Sequence, residues 1–387
     1  MAENTNDSIG RIRMIDNFAA IRAKFPVTRS KVFLNHSAYS PLSQPVVDMM
    51  RQYNEDLCCY EIDESKYSLG QKQFARLAGA DADEVALVQN TSTGLNIVAN
   101  ALDYPRGSNM VTTDMEYPSV VYPWLKKSLE VEVRYVKNKE GCVLADDVAK
   151  LVDDKTVAIS VSHVEYVNGF RHDLKALAEI AHEHGAYLIV DAIQSLGAIP
   201  VDVKRDDVDF LTASCYKWML GPAGAGYLYV RKELTEGLEP PFIGWASVKP
   251  EVFDTEDFWE IWHLQLSDTA SRFEVGSPSY VSFVGAAAAI QLLLNVGIEN
   301  IQKRILRLTQ QLIEGVKNRS LSLTTPEDDG CRSGIVHFLA DRAQEKSEKL
   351  RKKGIIVSAR ANGLRAAPHF YNTEEEIERF IKELDAT

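Results

Sequence analysis

Between residues 85 and 230 short apolar runs alternate with longer stretches whose apolar positions recur every three or four residues. The runs at 85–88, 110–112, 133–136, 157–162, 187–190, 210–213 and 226–230 read as strands, and 93–102, 120–129, 145–151 and 174–184 read as helices. Such alternation predicts an α/β fold: a mostly parallel sheet covered by helices on both faces, with its ligand at the carboxyl ends of the strands. After Pro240-Pro241 the pattern loosens into an aromatic-rich loop containing Trp245, Phe253, Phe258, Trp259 and Trp262. Two long helices are predicted over 282–294 and 298–317. Strand, helix, strand, strand and helix then follow at 334–339, 343–353, 355–359, 363–367 and 374–384. Thr373 and Glu376 stand at capping-box spacing at the start of the last helix. The division expected is an N-terminal arm over 1–30, a large domain over 31–296 and a smaller α+β domain over 297–387, with residues 1–10 loose.

With 387 residues, 45% of them hydrophobic, the chain can bury a large core. Its formal charge of −12 argues against nucleic-acid binding, which needs clustered Lys and Arg. No signal peptide or run long enough to cross a bilayer is evident, and five cysteines without Cys-x-x-Cys spacing suit reduced thiols, so a cytoplasmic location is expected. Adjacent Cys58 and Cys59 lack the second ligand pair that a metal site needs. Nucleotide-binding fingerprints of the Gly-x-Gly-x-x-Gly and Gly-x-x-x-x-Gly-Lys-Ser/Thr kinds are absent.

Candidate chemistry concentrates at two strand ends. One strand closes in Asp191-x-x-Gln194, and 26 positions after Asp191 comes Lys217, in Ser214-Cys215-Tyr216-Lys217 and shortly before Gly221-Pro222. This arrangement suits pyridoxal phosphate: a lysine forms a Schiff base with the aldehyde, while a buried carboxylate keeps the pyridine nitrogen protonated. Gln194 is placed to donate to the ring O3′, leaving Ser214 for the phosphate. Asn90-Thr91-Ser92-Thr93-Gly94 joins a strand to a helix, so free backbone N–H groups and the Thr91 and Ser92 hydroxyls converge on a second anion site.

From about Val32 to the C-terminus these residues resemble the class V aminotransferase group of fold type I pyridoxal-phosphate enzymes, which includes cysteine desulfurases, kynureninase and isopenicillin N epimerase. Asp191 and Gln194 match the family's pyridine-nitrogen and O3′ partners. Ser214 and Lys217 match its phosphate serine and Schiff-base lysine, and Thr91-Ser92 its phosphate-binding turn. Arg272-Phe273-Glu274-Val275-Gly276-Ser277-Pro278 is similar to a segment whose hydroxyl reaches the phosphate of the neighbouring subunit, which implies a homodimer with shared active sites. Tyr117 stands where family members stack a ring on the pyridine. Tyr216 occupies the place of the desulfurases' phosphate-binding histidine. Arg365, in Gly363-Leu364-Arg365, matches the arginine that pairs with the substrate α-carboxylate. Arg360 is read as structural or distal, and His36, Tyr166 and Trp245 are further pocket candidates.

One absence shapes the functional expectation. The desulfurases carry a nucleophilic cysteine on a mobile loop shortly before the late arginine, and the matching stretch 355–364 holds none. Cys331 lies 34 positions before Arg365. The resemblance therefore implies an enzyme acting on a small amino acid by Cα deprotonation, read as a C–S lyase without persulfide chemistry. Transamination and epimerisation stand as alternatives.

Overall fold

The computed structural model describes residues 18–61, 63, 65, 68–253 and 262–386. Phe258, Trp259 and the stretch 1–10 singled out by sequence lie outside them. A seven-stranded sheet forms the centre: β2 (Val85–Val88), β3 (Asn109–Thr113), β4 (Glu132–Val136), β5 (Thr156–Ser162), β6 (Tyr187–Asp191), β7 (Phe210–Ser214) and β8 (Gly226–Val230), in the order β2-β8-β7-β6-β5-β3-β4. β8 pairs antiparallel with both β2 and β7, and the remaining neighbours are parallel. All residues of β3, β7 and β8 are buried, which explains their unbroken apolar runs.

The antiparallel strand has a positional consequence. Two reversals about β8 leave β2 pointing the same way as β7, so Val88 and Ser214 both face Gly226 in register. A side chain at Gly226 would press within 3.1 Å of the Asn90 backbone. Glycine there lets the loop after β2 close over the end of β7.

The helix Tyr280–Val296 is apolar all round and buried, packed against the helices Gln44–Cys58 and Leu69–Ala78. The helix expected over 120–129 breaks instead into a single turn, Pro118–Val121, and 3₁₀ turns at Tyr122–Leu125 and Lys127–Leu129. Pro123 lacks the N–H that a continuing helix needs. No single helix among the described residues is long and apolar enough to cross a membrane.

The C-terminal part carries its own core, with Leu308, Leu312, Phe338, Leu364 and Phe380 among its buried residues. Each such side chain contributes about 1.5–3 kcal/mol by burial. Its sheet is antiparallel, β11 (Ser358–Arg360), β12 (Gly363–Ala366) and β9 (Val336–Leu339), backed by the helices Ile298–Lys317 and Glu374–Leu384. The last helix opens with the expected capping box of Thr373 and Glu376. The strand expected over 355–359 divides at Val357. Its first half, β10 (Ile355–Ile356), pairs in parallel with β1 (Val32–Phe33), while the second half joins β12. Val32 and Leu34 thus pack into the C-terminal core, although sequence position groups them with the large domain.

Candidate active site

The last residues of β6 and β7, with the segments that follow β2, β3 and β7, line one cavity of about 560 Å³. Asp191, Ser214, Tyr216 and Lys217 line it from β6 and the end of β7; Asn90, Thr91 and Ser92 line it from the loop and helix after β2.

Lys217 is fixed through its backbone. Ser40 Oγ donates to the Lys217 carbonyl at 2.5 Å, and Leu220 N–H donates to the same oxygen at 3.0 Å. The side chain is buried. Burial lowers the amine's pKa to about 8; Asp191 opposes that shift, while Arg365 and Arg360 add to it. Its Nζ sits 5.7 Å from the Tyr117 ring centroid. Asp191 is also buried, and desolvation raises it to about 6 against the N–H of Ile193, which donates to Oδ1 at 2.9 Å, and the charge of Lys217.

Ser214 and Thr91 interlock. Thr91 N–H donates to Ser214 Oγ at 2.7 Å, Ser214 N–H donates to Thr91 Oγ1 at 2.9 Å, and the two hydroxyls lie 3.0 Å apart. Asn90 caps the helix Thr91–Ala101, its Oδ1 accepting from Thr93 N–H at 2.9 Å. Ser92 Oγ meets Ser119 Oγ at 2.7 Å. The helix's positive end and the hydroxyls of Thr91, Ser92 and Ser214 therefore meet at the cavity, a setting that favours an anion.

The other expected site residues fall in different places. Ser277 lines the cavity beside Gly224 and Ser279. Gln194 spends one amide hydrogen on the Ser37 carbonyl at 3.0 Å and accepts from Trp218 Nε1 at 2.8 Å. Its second hydrogen remains. Tyr216 lines the cavity with its ring stacked on Tyr39 at 5.2 Å. Tyr166 sets its ring edge against Tyr117 at 5.3 Å, and its carbonyl accepts from Arg365 Nη1 at 2.5 Å. Arg365 is buried, its Nε donates to Ser358 Oγ at 3.2 Å, and burial lowers its pKa to about 10.

His36 is not among the lining residues. Its Nδ1 lies 2.8 Å from the Ala367 carbonyl and its Nε2 lies 2.7 Å from Tyr371 Oη. A carbonyl only accepts, so Nδ1 carries the hydrogen and Nε2 accepts from the phenol. No ring nitrogen is left for a substrate, and burial holds the pKa well below the usual histidine range. Trp245 is half exposed and backs Gly276, outside the cavity lining.

Sequence reasoning missed a buried polar cluster behind Asp191. Glu116 accepts from Ser162 N–H at 2.6 Å and from Ser162 Oγ at 2.7 Å. Glu165 Oε1 accepts from Thr113 Oγ1 at 3.0 Å and lies 3.2 Å from His172 Nε2, while its Oε2 has no partner. Burial raises Glu165 to about 8, with Asp191 adding to the shift, and it lifts Glu116 well above the carboxylate range. The signal in the sequence is a glutamate three positions beyond a strand end, at both Glu116 and Glu165.

Pyridoxal phosphate fits this cavity on the donor set alone. Asp191 Oδ2 makes no hydrogen bond with any described residue and belongs to a residue lining the same space as the Lys217 amine, and a hydroxyl-lined helix start lines it too. Fold and cavity together define a class, the α/β enzymes that work with pyridoxal phosphate. The chain belongs to the aminotransferase class-V family, whose sequence pattern matches residues 32–380. It is 34% identical to an uncharacterized aminotransferase, YcbU, of Bacillus subtilis, over 94% of this chain and 96% of that one. A probable cysteine desulfurase of Pyrococcus abyssi is 31% identical over the same shares, 94% and 96%. Among solved structures, the apo cysteine desulfurase of Thermococcus onnurineus NA1 superposes with a TM-score of 0.86 at 27% identity, covering 95% of this chain and 97% of that one. The cystine C–S lyase C-DES shares the fold, with a TM-score of 0.84 at 22% identity over 93% of this chain and 98% of that one. The enzyme is thus a pyridoxal-phosphate-dependent member of a cysteine desulfurase-like group.

Proposed function

We propose that this enzyme is a C–S lyase acting on a small amino acid, and that it releases sulfur without a protein persulfide. Lys217 carries the cofactor, Asp191 Oδ2 meets the pyridine nitrogen, and Gln194 uses its remaining hydrogen on O3′. Thr91, Ser92, Ser214 and Ser277, with Tyr216 beside them, hold the phosphate, and Tyr117 covers the ring. When bound, the cofactor supplies an electron sink for the pair left at Cα. Arg365 holds the α-carboxylate with its remaining N–H groups. Once the substrate amine displaces it, the Lys217 amine would take the Cα proton. The Cβ–S bond then breaks, sulfur leaves with its electrons, and the unsaturated amine hydrolyses to a keto acid and ammonia.

The observation that carries the lyase reading is the placement of the thiols: the stretch 355–364 before Arg365 holds no cysteine, and Cys331 is held at the Asp328 carbonyl with its pKa raised by burial. A homodimer is part of the proposal. Phe242, Ile243, Leu264 and Val275 expose apolar surface on the segments flanking Ser277, and a second copy would cover it. The deciding assay incubates the holoenzyme with cysteine-like substrates and measures keto acid, sulfide and enantiomeric composition together. Equal yields of keto acid and released sulfur support the reading; keto acid without sulfur, or racemised substrate alone, replaces it with transamination or epimerisation.

A further inference from the structure

The chain leaves β5 through a closed turn. Glu165 N–H donates to the Phe170 carbonyl at 2.8 Å, and Gly169 N–H donates to the Glu165 carbonyl at 3.0 Å. Gly169 takes φ 78°, which favours glycine, and a Cβ there would come within 2.7 Å of the Ile335 carbonyl. The turn is thus pressed against the C-terminal part, and it is bonded to that part as well. The Asn168 carbonyl accepts from Thr325 Oγ1 at 2.7 Å, and Arg171 N–H donates to the Cys331 carbonyl at 2.7 Å. Within the turn, Tyr166 offers its carbonyl to Arg365 Nη1 at 2.5 Å and sets its ring edge against Tyr117. Arg365 therefore takes its position from the turn.

Glu165 fastens the turn from inside. It is fully buried, and its Oε1 accepts from Thr113 Oγ1, at the end of β3, at 3.0 Å. Met115 N–H donates to Thr113 Oγ1 at 3.2 Å, which leaves the threonine hydrogen for Glu165. His172 Nε2 lies 3.2 Å from the same carboxyl oxygen, while Oε2 has no partner among the described residues. No described lysine or arginine pairs with this carboxyl; its one ion-pair partner there is His172, whose pKa burial lowers to about 4. The other titratable groups that face it are acids: Asp191 on β6, and Asp114 and Glu116 after β3. Burial raises Glu165 to about 8, and Asp191 and Asp114 add to the shift. Such surroundings accept a neutral carboxylic acid and penalise a carboxylate.

We infer that Glu165 is a positioning residue for substrate recognition: its protonated carboxyl holds the 165–170 turn against β3, and the turn presents the Tyr166 carbonyl that fixes Arg365. This rests on the functional reading above, in which Arg365 holds the α-carboxylate. Loss of the proton leaves an uncompensated charge among three other acids, and the turn shifts to let water reach it. Arg365 then loses its anchor. Affinity for a carboxylate falls, while the cofactor, held by residues outside the turn, stays bound.

The test titrates the holoenzyme with propionate, a carboxylate with no amine of its own, following the cofactor's visible band at pH values below and above 8. In the wild type the dissociation constant is expected to be level below pH 8 and to rise above it, by up to about tenfold per pH unit, the limit for one proton. Glu165→Gln keeps a neutral group of the same shape, so it should retain the low-pH affinity and remove the rise. Lys217 and the cofactor are the same in both proteins, so a difference between them belongs to position 165. Glu165→Asp, one methylene too short to reach Thr113, should bind propionate weakly at every pH with unchanged cofactor content. A rise that persists in Glu165→Gln, a loss of low-pH affinity in that variant, or wild-type behaviour in Glu165→Asp overturns the inference. Propionate binding that Arg365→Lys leaves unchanged overturns the placing of the α-carboxylate at Arg365, and the inference with it.

Discussion

Ser214 and Thr91 exchange backbone and side-chain hydrogen bonds across the end of the sheet, each hydroxyl accepting the other residue's N–H. This joins the end of β7 to the first turn of the helix Thr91–Ala101, and it orients two hydroxyl groups and a helix N-terminus at one anion site. Ser214→Ala removes one potential phosphate donor and leaves Thr91 N–H without its acceptor. Because a hydrogen bond to a charged group is worth about 1.5–3 kcal/mol, cofactor affinity should fall roughly 10- to 100-fold. Equilibrium titration of the apoenzyme with pyridoxal phosphate measures this; unchanged affinity would place the phosphate elsewhere.

The Lys217 amine yields a pH prediction. Its pKa in the fold is about 8, against 10.5 ordinarily. Only the neutral amine attacks an aldehyde, so the rate at which the apoenzyme takes up pyridoxal phosphate should rise with pH, with a midpoint near 8. Stopped-flow absorbance gives that midpoint, and a value near 10.5 would mean that Lys217 is not the attacking group. The linked stability effect follows the same sign. Between about 8 and 10.5 the unfolded chain binds more protons at this residue than the folded chain, so the cost of burying the charged amine is relieved as pH rises through that window. Borohydride reduction followed by peptide mapping should place the pyridoxyl group on Lys217.

The central sheet was readable in the sequence because its inner strands are buried on both faces and so appear as compact apolar runs; the edge strand β4 is largely exposed. The motif residues Asp191, Ser214 and Lys217 were readable for a related reason: a polar group directly after such a run lies at a strand's carboxyl end. What local pattern does not encode is long-range pairing. The strand 355–359 divides because Ile355 meets Val32, more than three hundred residues away. His36 looked like a pocket residue until Ala367 and Tyr371 claimed both of its nitrogens. Glu116 and Glu165 escaped notice because their interaction joins the ends of different strands.

Arg365 serves two purposes that substitution can separate. Its contact with Tyr166 ties β12 to the large sheet, so truncation to alanine would disturb packing along with recognition. Arg365→Lys keeps the charge but loses the planar fork. The expected result is a holoenzyme with normal cofactor content whose affinity for amino acids, read from the visible spectrum, falls at least tenfold, as for loss of one charge-assisted bond. Unchanged affinity would move the α-carboxylate site away from Arg365.

A dimer should be sensitive to Phe242, an exposed aromatic residue on the segment near Ser277. Phe242→Glu places a charge on the surface that a second copy is proposed to cover. Sedimentation velocity is expected to show a dimer for the wild type and a larger monomer fraction for the variant. If Ser277 serves the phosphate of the neighbouring chain, as the resemblance implies, cofactor retention should fall along with dimerisation. A monomeric wild type would refute the dimer, whereas loss of cofactor on dissociation would show that the neighbouring chain completes the site.

Sulfur transfer to the protein requires a thiol that reaches the substrate and ionises readily. Cys215 is buried in the turn beside Lys217, and burial pushes its pKa far up. Cys58 and Cys59 end the helix Gln44–Cys58, exposed and outside the cavity lining. Cys142 and Cys331 are partly buried, and burial raises both thiols. Cys331 Sγ points to the Asp328 carbonyl at 3.7 Å, and its backbone carbonyl is fixed by Arg171 N–H at 2.7 Å, so the one thiol singled out by sequence is anchored and raised in pKa. With a sulfur-bearing substrate, alkylation trapping and peptide mapping should therefore find sulfide or a small persulfide in solution and no stoichiometric persulfide on any cysteine. Cys331→Ser should retain activity within about twofold, since the thiol makes only a weak contact. A persulfide on Cys331 that disappears together with activity in that variant would overturn the lyase reading and make sulfur transfer the reaction.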